Sequence, residues 1–245
     1  IKGGSGYIDG QTNIIITAPG LTAQVEAQIH PWQINLFERN LINIKSDDGI
    51  VEENVDHTSL QYGHLYAPRP LREATYAISG EAEDNTLYGT PDLVRDAESG
   101  VEVSSVNHSP ILGWAHDGHP IYGPYAFTNN DGSGSIVEMK SGYELKPNET
   151  NRPPLSLYPA GFFTEDYQFI GNGDLDEHNG RFAITPDYPK GIYAYHATIS
   201  SQNDATGPFE GFRRPAFPYF IGKNFKSKPN SFNLSIDSIQ SKYDI

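Results

Sequence analysis

Residues that could bind a metal or take part in acid–base chemistry concentrate in three short stretches of the chain. They are NHSPILGWAHDGHPIYGPYAF at 107–127, LDEHNGRF at 175–182 and GIYAYHATI at 191–199. Imidazole nitrogens and carboxylate oxygens are the common protein ligands of metals, and histidine is the common acid–base group near neutral pH. Glycine and proline turns accompany these groups, as expected where loops carry a site on a rigid scaffold. The three stretches therefore predict one pocket at which they meet.

The sequence His116-Asp117-Gly118-His119-Pro120 predicts a tight turn. Asp-Gly favours the turn, and proline holds the residue before it in an extended conformation, so both histidines could face one site. A zinc ion there would need a further ligand. The candidates for it are His108, Asp176 and His196. In the alternative interpretation, Asp117 closes an Asx-turn and the histidines are surface or stacking residues.

The segment GNGDLDEHNGR at 171–181 carries three carboxylates, two asparagines and three glycines, a composition that suits a hard cation such as Ca²⁺. It is not an EF-hand. If Asp174 took the first position, the required glycine would fall on Asn179 and the closing glutamate on Thr185. The alternative is an acidic turn whose Asp and Asn side chains cap backbone groups.

Residues 192–199 form the clearest predicted strand. Alternation places Tyr193 and Tyr195 on one face and His196 on the other, with Ile192, Ala194 and Thr198. A lone strand histidine among aromatic residues is more often a core residue than a ligand. His196 is a candidate ligand only because the other two stretches are also rich in histidine and acidic residues.

The fold that must position these residues is expected to be mainly β. With 24 Gly, 18 Pro and 15 Tyr, the composition favours an antiparallel β-sandwich or barrel-like domain with long loops and few short helices. Further strands are predicted at 120–122, 125–127, 136–139 and 167–170. Residues 32–37 fit a helical turn or a strand, and 91–96 predict the start of a short helix.

Three units are expected along the chain. Residues 1–30 read as a Gly-rich β-hairpin, the tail end of an upstream repeat, because the chain opens at Ile1 on short β-branched runs between Gly turns. Residues 31–225 form the main domain, with the motif core at 105–225. Residues 226–245 are a C-terminal extension.

The composition excludes several classes of function. A net charge of −14 argues against nucleic-acid or anionic-membrane partners and suits divalent cations. With no cysteine, disulfides and thiol catalysis are ruled out, and no apolar run is long enough for membrane insertion. The sequence contains no phosphate-binding loop, dinucleotide fingerprint, nucleophile elbow or His-Glu-x-x-His motif. The 31 acidic residues select no glycosidase pair.

Three motifs, in order, resemble the YHYH domain family: DGHPIYGP at 117–124, LDEHNGR at 175–181 and GIYAYHAT at 191–198. The segment FPYFIG at 217–222 resembles the element that closes the domain. The motif Tyr-His-Tyr-His reads Tyr193-Ala194-Tyr195-His196 here, so its first histidine is replaced. The lead-in Asn107-His108-Ser109-Pro110 is similar to copies in virion proteins of tailed phages, especially of marine cyanobacteria. Residues 1–28 resemble the Gly-rich β repeats of such proteins.

The resemblance implies a structural domain of a phage tail, baseplate or fibre, located in the virion or outside the cell. The family brings no settled activity. The expected site would bind a divalent metal (Ca²⁺ or Zn²⁺) or a glycan. Its expected ligands are His108, Asp117, His119, Asp176, Glu177 and His196. Its expected supporting residues are His116, Tyr122, Asn179, Arg181 and Tyr195.

Expected partners are other virion proteins, a host-surface glycan or further copies of the chain. An alternative function is a secreted metal-dependent hydrolase of surface polymers, in which a metal-bound water attacks the substrate. A carbohydrate-binding module is a third hypothesis, and exposed aromatic rings near the acidic loop would favour it.

Overall fold

The computed structural model describes residues 32–53, 60–73, 91–146 and 152–229, and these segments are mainly β. The helices are short: α1 (Leu36–Asn40), α2 (Arg69–Glu73) and two 3-10 turns (Leu41–Asn43 and Thr164–Asp166). The first strands are β1 (Ile50–Glu53), β2 (Leu60–Gly63), β3 (Val94–Arg95), β4 (Glu102–Val103), β5 (Ile111–Trp114), β6 (Pro120–Tyr122) and β7 (Tyr125–Phe127). The others are β8 (Ile136–Glu138), β9 (Tyr143–Leu145), β10 (Tyr167–Phe169), β11 (Gly180–Ala183), β12 (Ile192–His196), β13 (Ile199–Asn203) and β14 (Arg213–Pro215). The mainly β prediction and the four further predicted strands are confirmed.

The described strands form several small sheets, and they close no barrel. The largest sheet has four strands in the order β11-β12-β6-β5. The remaining strands pair two by two: β1 with β2, β3 with β4, β7 with β8, β9 with β10, and β13 with β14. β12 runs parallel to β6, whereas the other pairs are antiparallel.

All four strands of the central sheet come from the three motif stretches. The first stretch supplies β5 and β6, the second supplies most of β11, and the third supplies β12. The parallel pair sets Ile121 beside Tyr195 and Tyr122 beside His196. The motifs therefore build the sheet itself, in addition to the loops at its ends.

Hydrophobic burial is divided among small clusters. One centres on Phe37, Tyr66 and Phe209, a second on Ala115, Tyr193 and Tyr195, and a third on Ala126, Met139 and Leu175. Short strands and long loops supply few contiguous apolar faces, so polar and ionic contacts join the clusters.

Residues 32–37 combine the two predicted conformations. Ile34 forms an isolated bridge with Phe163, and the helix begins at Leu36. Asn35 caps this helix, because its side-chain oxygen accepts a hydrogen bond from the Phe37 amide at 3.3 Å.

The short helix predicted from residue 91 is wrong. Val94 pairs with Val103 in the β3–β4 hairpin. Asp92 is unavailable as a helix cap because its carboxylate accepts hydrogen bonds from Arg72 and Ser109. A distant ion pair thus overrides the local signal.

The predicted hairpin at 1–30 lies outside the described residues, as does most of the extension at 226–245. Residues 226–229 of that extension are described. None of the helices in the described segments is long and apolar enough to cross a membrane.

Candidate functional site

Strand β12 divides the motif residues between the two faces of the central sheet. Tyr193 and Tyr195 share one face with Ile121. His196 lies on the opposite face beside Tyr122, as successive side chains of a strand alternate. We call these the tyrosine face and the histidine face. The predicted alternation along this strand is confirmed.

The tyrosine face carries two tyrosine–aspartate pairs. The Tyr195 hydroxyl donates to Asp117 Oδ2 at 2.6 Å, and the Tyr193 hydroxyl donates to Asp176 Oδ1 at 2.8 Å. Each tyrosine thus ties the strand to one of the acidic motif turns. The His119 ring packs edge-on against Tyr193, with ring centroids 5.0 Å apart.

The first residues of the C-terminal extension join both pairs. The Lys226 amide donates to the Tyr195 hydroxyl at 2.6 Å, and the Lys226 Nζ donates to Asp176 Oδ2 at 3.1 Å. The Ser227 amide donates to Asp117 Oδ2 at 3.0 Å. Lys226 and Ser227 are therefore part of the motif's hydrogen-bond network.

Both aspartates are held in the ionised form. Burial acts to raise the pKa of Asp117, but the Tyr195 hydroxyl and the Ser227 amide outweigh it, and the pKa lies below its ordinary value. For Asp176, burial is likewise outweighed by Tyr193 and Lys226, and the pKa is lowered. Burial and the adjacent carboxylates raise the pKa of both tyrosines, which stay protonated donors.

The geometry agrees with the alternative interpretation of residues 116–120 and 171–181 as turns whose side chains cap backbone groups. The His119 amide approaches Asp117 Oδ1 at 3.4 Å, as in an Asx-turn, and Gly118 takes a positive φ of 88°. Asp176 Oδ1 accepts the amides of His178 and Gly180 at 3.0 and 3.2 Å. These hydrogen bonds use the carboxylate oxygens that a metal would require.

Asn179 joins the acidic turn to the strand and to the closing segment. It is fully buried, has a φ of 64°, and its amide nitrogen donates to the carbonyls of His196 at 2.8 Å and Phe220 at 3.1 Å. Asparagine tolerates this left-handed conformation better than most residues do. The next residue must be a glycine, Gly180, because a Cβ there would lie only 2.6 Å from the Ala194 carbonyl oxygen.

We expect Asn179→Ala to lower the free energy of unfolding by about 3 kcal/mol, because it loses two buried hydrogen bonds and strains the left-handed backbone. Asn179→Gly loses the same hydrogen bonds without the strain, so its loss should be about 1 kcal/mol smaller. Urea unfolding of both variants measures the difference. Equal losses in the two variants would contradict the contribution of backbone strain.

The histidine face is an aromatic cluster around His196. The His196 ring stacks on Tyr122, with centroids 5.9 Å apart and an interplanar angle of 23°. His108 packs edge-on against Tyr122 at 5.0 Å, and its ring centroid lies 6.5 Å from that of His196. The Tyr122 hydroxyl donates to Asp187 at 2.8 Å and lies 2.9 Å from Thr185 Oγ1.

Both imidazoles on this face are neutral and have a fixed tautomer. Burial, with the charge of Arg181, lowers the pKa of His196 to about 3, and burial lowers the pKa of His108. The Nδ1 atoms of His108 and His196 lie 2.8 and 3.3 Å from the carbonyl oxygens of Ser109 and Gly123. A carbonyl oxygen can only accept, so each Nδ1 carries the proton and each Nε2 keeps a lone pair.

Arg181 extends the histidine face along β11, where it pairs with Ala194 of β12. Its Nη2 donates to the carbonyl oxygen of Phe127, and its Nε has no hydrogen-bond partner. The Phe127 ring in turn packs against His108 at 5.3 Å. Arg181 therefore places a permanent positive charge beside two neutral imidazoles.

The predicted ligands do not converge on one centre. Asp117, His119 and Asp176 belong to the tyrosine face, whereas His108 and His196 belong to the histidine face. The Glu177 side chain is 61% exposed, with His178 Nε2 at 3.7 Å. The His116 ring packs edge-on against Phe225, with centroids 6.2 Å apart.

The donor set does not fit a metal centre. In the part of the chain that the structure describes, no group of three or more His, Asp or Glu residues could hold a metal ion. The predicted supporting residues divide in the same way, with Tyr195 on the tyrosine face and Tyr122 and Arg181 on the histidine face.

A buried ionic network adjoins the histidine face, and sequence analysis missed it. Arg72 donates to Asp92 at 3.0 Å and to Glu102 at 2.8 Å, and all three side chains are at most 2% exposed. Ser109 donates to Asp92 and accepts the Tyr125 amide at 2.8 Å. Asp92 and Glu102 lie 20 and 30 residues away from Arg72 along the chain, so no local sequence pattern marks this network.

One comparison with known proteins identifies the family. The sequence model of the family described as YHYH protein matches residues 39–205, more than half of the chain. This chain belongs to the YHYH protein family. The match begins well upstream of residue 105 and ends before the closing segment at 217–222. Neither the curated proteins nor the solved structures gave a match.

The motif that gives the family its name lies on strand β12. In a Tyr-His-Tyr-His sequence on a strand, the tyrosines share one face and the histidines share the other. The tyrosines of this YHYH protein bind the aspartates of two turns, and His196 belongs to the second cluster. Ala194 occupies the position of the first histidine, directly opposite Arg181.

Proposed function

We propose that this YHYH protein is a structural domain of a tailed-phage virion protein, from the tail, baseplate or fibre, and that it contacts a host-surface glycan. The phage context draws on the likeness of residues 107–110 and of the Gly-rich start to virion proteins. The virion and the extracellular space are the locations that this proposal implies. The glycan contact draws on exposed aromatic rings.

The structural role is supported by the hydrogen bonds that both carboxylate oxygens of Asp117 and of Asp176 accept. Both oxygens of Asp117 accept hydrogen bonds, from His119 on one side and from Tyr195 and Ser227 on the other. Both oxygens of Asp176 do so as well. Carboxylates engaged in this way brace loops against a sheet.

Exposed rings on the edge strands support a glycan contact. Trp114 on β5 is 58% exposed, and Phe182 on β11, directly after the acidic loop, is 61% exposed. Large exposed aromatic side chains are typical of binding surfaces, where the rings offer apolar area to a partner.

The hydrolase hypothesis takes second place. It requires a metal-activated water beside an available carboxylate base. Asp117 and Asp176, the carboxylates that share the tyrosine face with His119, are both committed to hydrogen bonds within the chain.

Particle composition tests the virion assignment. Particles purified from cultures that carry the gene should yield peptides of this chain in stoichiometric amounts by mass spectrometry. Antibodies against the folded chain should label the tail or fibres in electron micrographs. Absence of the peptides from intact particles would reject the assignment, and labelling of the capsid head would reject the tail location.

A further inference from the structure

A small pocket opens beside His108 on the histidine face. Its volume of about 280 Å³ is below the range of about 300–1,000 Å³ that is typical of pockets for drug-sized ligands. Four of the residues that line it are apolar: Val106, Phe127, Ile136 and Pro186. The polar ones are Asn107, His108, Ser109 and Asp187. The pocket therefore suits a small ligand that has an apolar part and one polar group.

The side-chain polar atoms that are still free in this pocket are all acceptors. His108 Nδ1 donates to the carbonyl of the following residue at 2.8 Å, and its Nε2 keeps a lone pair without a partner among the described residues. The Asn107 amide nitrogen donates to the Pro91 carbonyl at 3.0 Å, which leaves the amide oxygen. One oxygen of Asp187 accepts the Tyr122 hydroxyl at 2.8 Å, and the second has no donor in the described segments.

The lone pair of His108 is accessible from the pocket. The residue is only 8% exposed, yet Nε2 is not among the unpartnered polar atoms that are sealed from solvent in the described part of the chain. Because His108 lines the pocket, a ligand there can reach this nitrogen. The Ser109 hydroxyl, by contrast, is already used, since it donates to Asp92 and accepts the Tyr125 amide. No side-chain donor in the lining therefore remains for a ligand.

The charge in the pocket lining is negative. Asp187 supplies a carboxylate at the exposed rim, and the residues that line the pocket include neither lysine nor arginine. Arg181 donates to the Phe127 carbonyl from outside the lining. Burial lowers the pKa of His108, and of the two charges that act on the ring, Asp187 raises this pKa more than Arg181 lowers it. With a net charge of −14 on the whole chain, the pocket favours a cationic ligand over an anionic one.

We propose that this pocket binds a primary alkylammonium group, carried either by a small amine or by a lysine side chain. An ammonium group has three N–H donors and no acceptor, which matches a pocket whose free side-chain atoms are all acceptors. Its charge pairs with Asp187, the Phe127 ring offers a cation–π contact, and the apolar walls cover the carbon chain. The inference goes beyond the proposed function and does not depend on it.

Other classes of ligand fit this pocket less well. An anion would be repelled by Asp187 and would find no side-chain donor. A neutral polyol would leave the carboxylate without a counter-charge and its own lone pairs without donors. A metal ion would meet one carboxylate and one imidazole in the lining, and no group of three or more His, Asp or Glu among the described residues could hold it.

Titration of the full chain with butylammonium, followed by nuclear magnetic resonance at neutral pH, tests the proposal. Butylammonium should shift the signals of the Val106 and Asn107 amides, whereas 1-butanol and butyrate of the same chain length should bind at least about tenfold more weakly. Nα-acetyl-lysinamide distinguishes the two sources of the ammonium. Binding as tight as that of butylammonium assigns a lysine side chain, and binding of butylammonium alone assigns a free amine.

Two substitutions in the lining should weaken the binding of butylammonium at least about fivefold. Asp187→Asn removes the negative charge and keeps an oxygen that can accept from Tyr122. Val106→Lys places a cation on the pocket wall at a residue that is 83% exposed, so the fold should tolerate it. The matched control is Glu98→Gln, which removes one exposed carboxylate outside the pocket and should leave binding unchanged.

Several results would overturn the proposal. They are equal binding of butylammonium and 1-butanol, unchanged binding by Val106→Lys, and no binding of butylammonium at millimolar concentration. An equal loss in Glu98→Gln and Asp187→Asn would also overturn it, because amines would then be attracted to the acidic chain as a whole. Val106→Lys decides the question where Asp187→Asn yields no folded protein. The assay uses the purified chain, so its outcome is independent of whether the protein is found in virions.

Discussion

Arg72→Met should lower the free energy of unfolding by about 3–5 kcal/mol. The substitution keeps most of the side-chain volume but leaves Asp92 and Glu102 buried together without a cation. Both carboxylates are fully buried, and Arg72 donates to each of them at 3.0 Å or less. Removal of one partner from a buried ion cluster is far more costly than the net gain from the intact cluster, because the remaining charges stay desolvated.

Urea unfolding of the variant and the wild type measures this loss. The matched control is Arg95→Met, which breaks the Arg95–Glu73 pair, whose side chains are 46% and 36% exposed. That pair is screened by solvent, so the control should lose at most about 1 kcal/mol. Asp92→Asn serves where Arg72→Met yields no folded protein, with an expected loss of about 1–3 kcal/mol. Similar losses in Arg72→Met and Arg95→Met would show that the buried network contributes no more than a surface pair.

Acid should destabilise the protein from about pH 6.5 downward through His196. The ordinary histidine pKa of 6.5 falls to about 3 in the folded chain, because the ring is buried and faces the charge of Arg181 beside neutral His108. The contribution of His196 to stability is complete above pH 6.5 and is lost as the pH falls toward 3. Over that window the free energy of unfolding should fall by roughly 5 kcal/mol, at about 1.4 kcal/mol per pKa unit.

Nuclear magnetic resonance of the imidazole protons tests the prediction directly, since the His196 signals should stay those of a neutral ring well below pH 6. Asparagine does not titrate, and its side-chain amide can donate to the Gly123 carbonyl. His196→Asn should therefore reduce the pH dependence above pH 4 and leave only the part due to His108, whose pKa is also lowered. Asp117 and Asp176, whose pKa values are lowered, affect stability in a separate pH range. Their contribution to the free energy of unfolding is lost below about pH 4. A His196 midpoint near 6.5 in the folded protein would contradict this account.

Local patterns in the sequence predicted the parts of the fold that depend on local structure. The alternation along β12 and the Asp117–Gly118 turn follow from backbone geometry and need no distant partner. The mainly β class followed from composition in the same way. By contrast, the prediction of a helix start at Asp92 was wrong. The partner of its carboxylate, Arg72, lies 20 residues away and leaves no signal in the local sequence.

The expectation of one pocket failed for a reason that was already present in the sequence. Tyr195 and His196 are adjacent in a strand, so groups that bind one cannot lie on the same side of the sheet as groups that bind the other. Asp117 binds Tyr195, and His108 packs in the His196 cluster, which separates two residues only nine positions apart. The burial of Arg181 had no local sequence signal, because it depends on contacts with distant segments such as the Phe127 carbonyl.

The alternation of β12 also determines which genetic changes the motif can tolerate. A substitution such as the alanine at position 194 alters one side of the sheet and leaves the tyrosine–aspartate pairs on the other side untouched. Insertion or deletion of a single residue within Ile192–His196 would instead exchange the sides of every following residue. Variation in this strand should therefore proceed by replacement at constant length, with the two sides free to diverge independently.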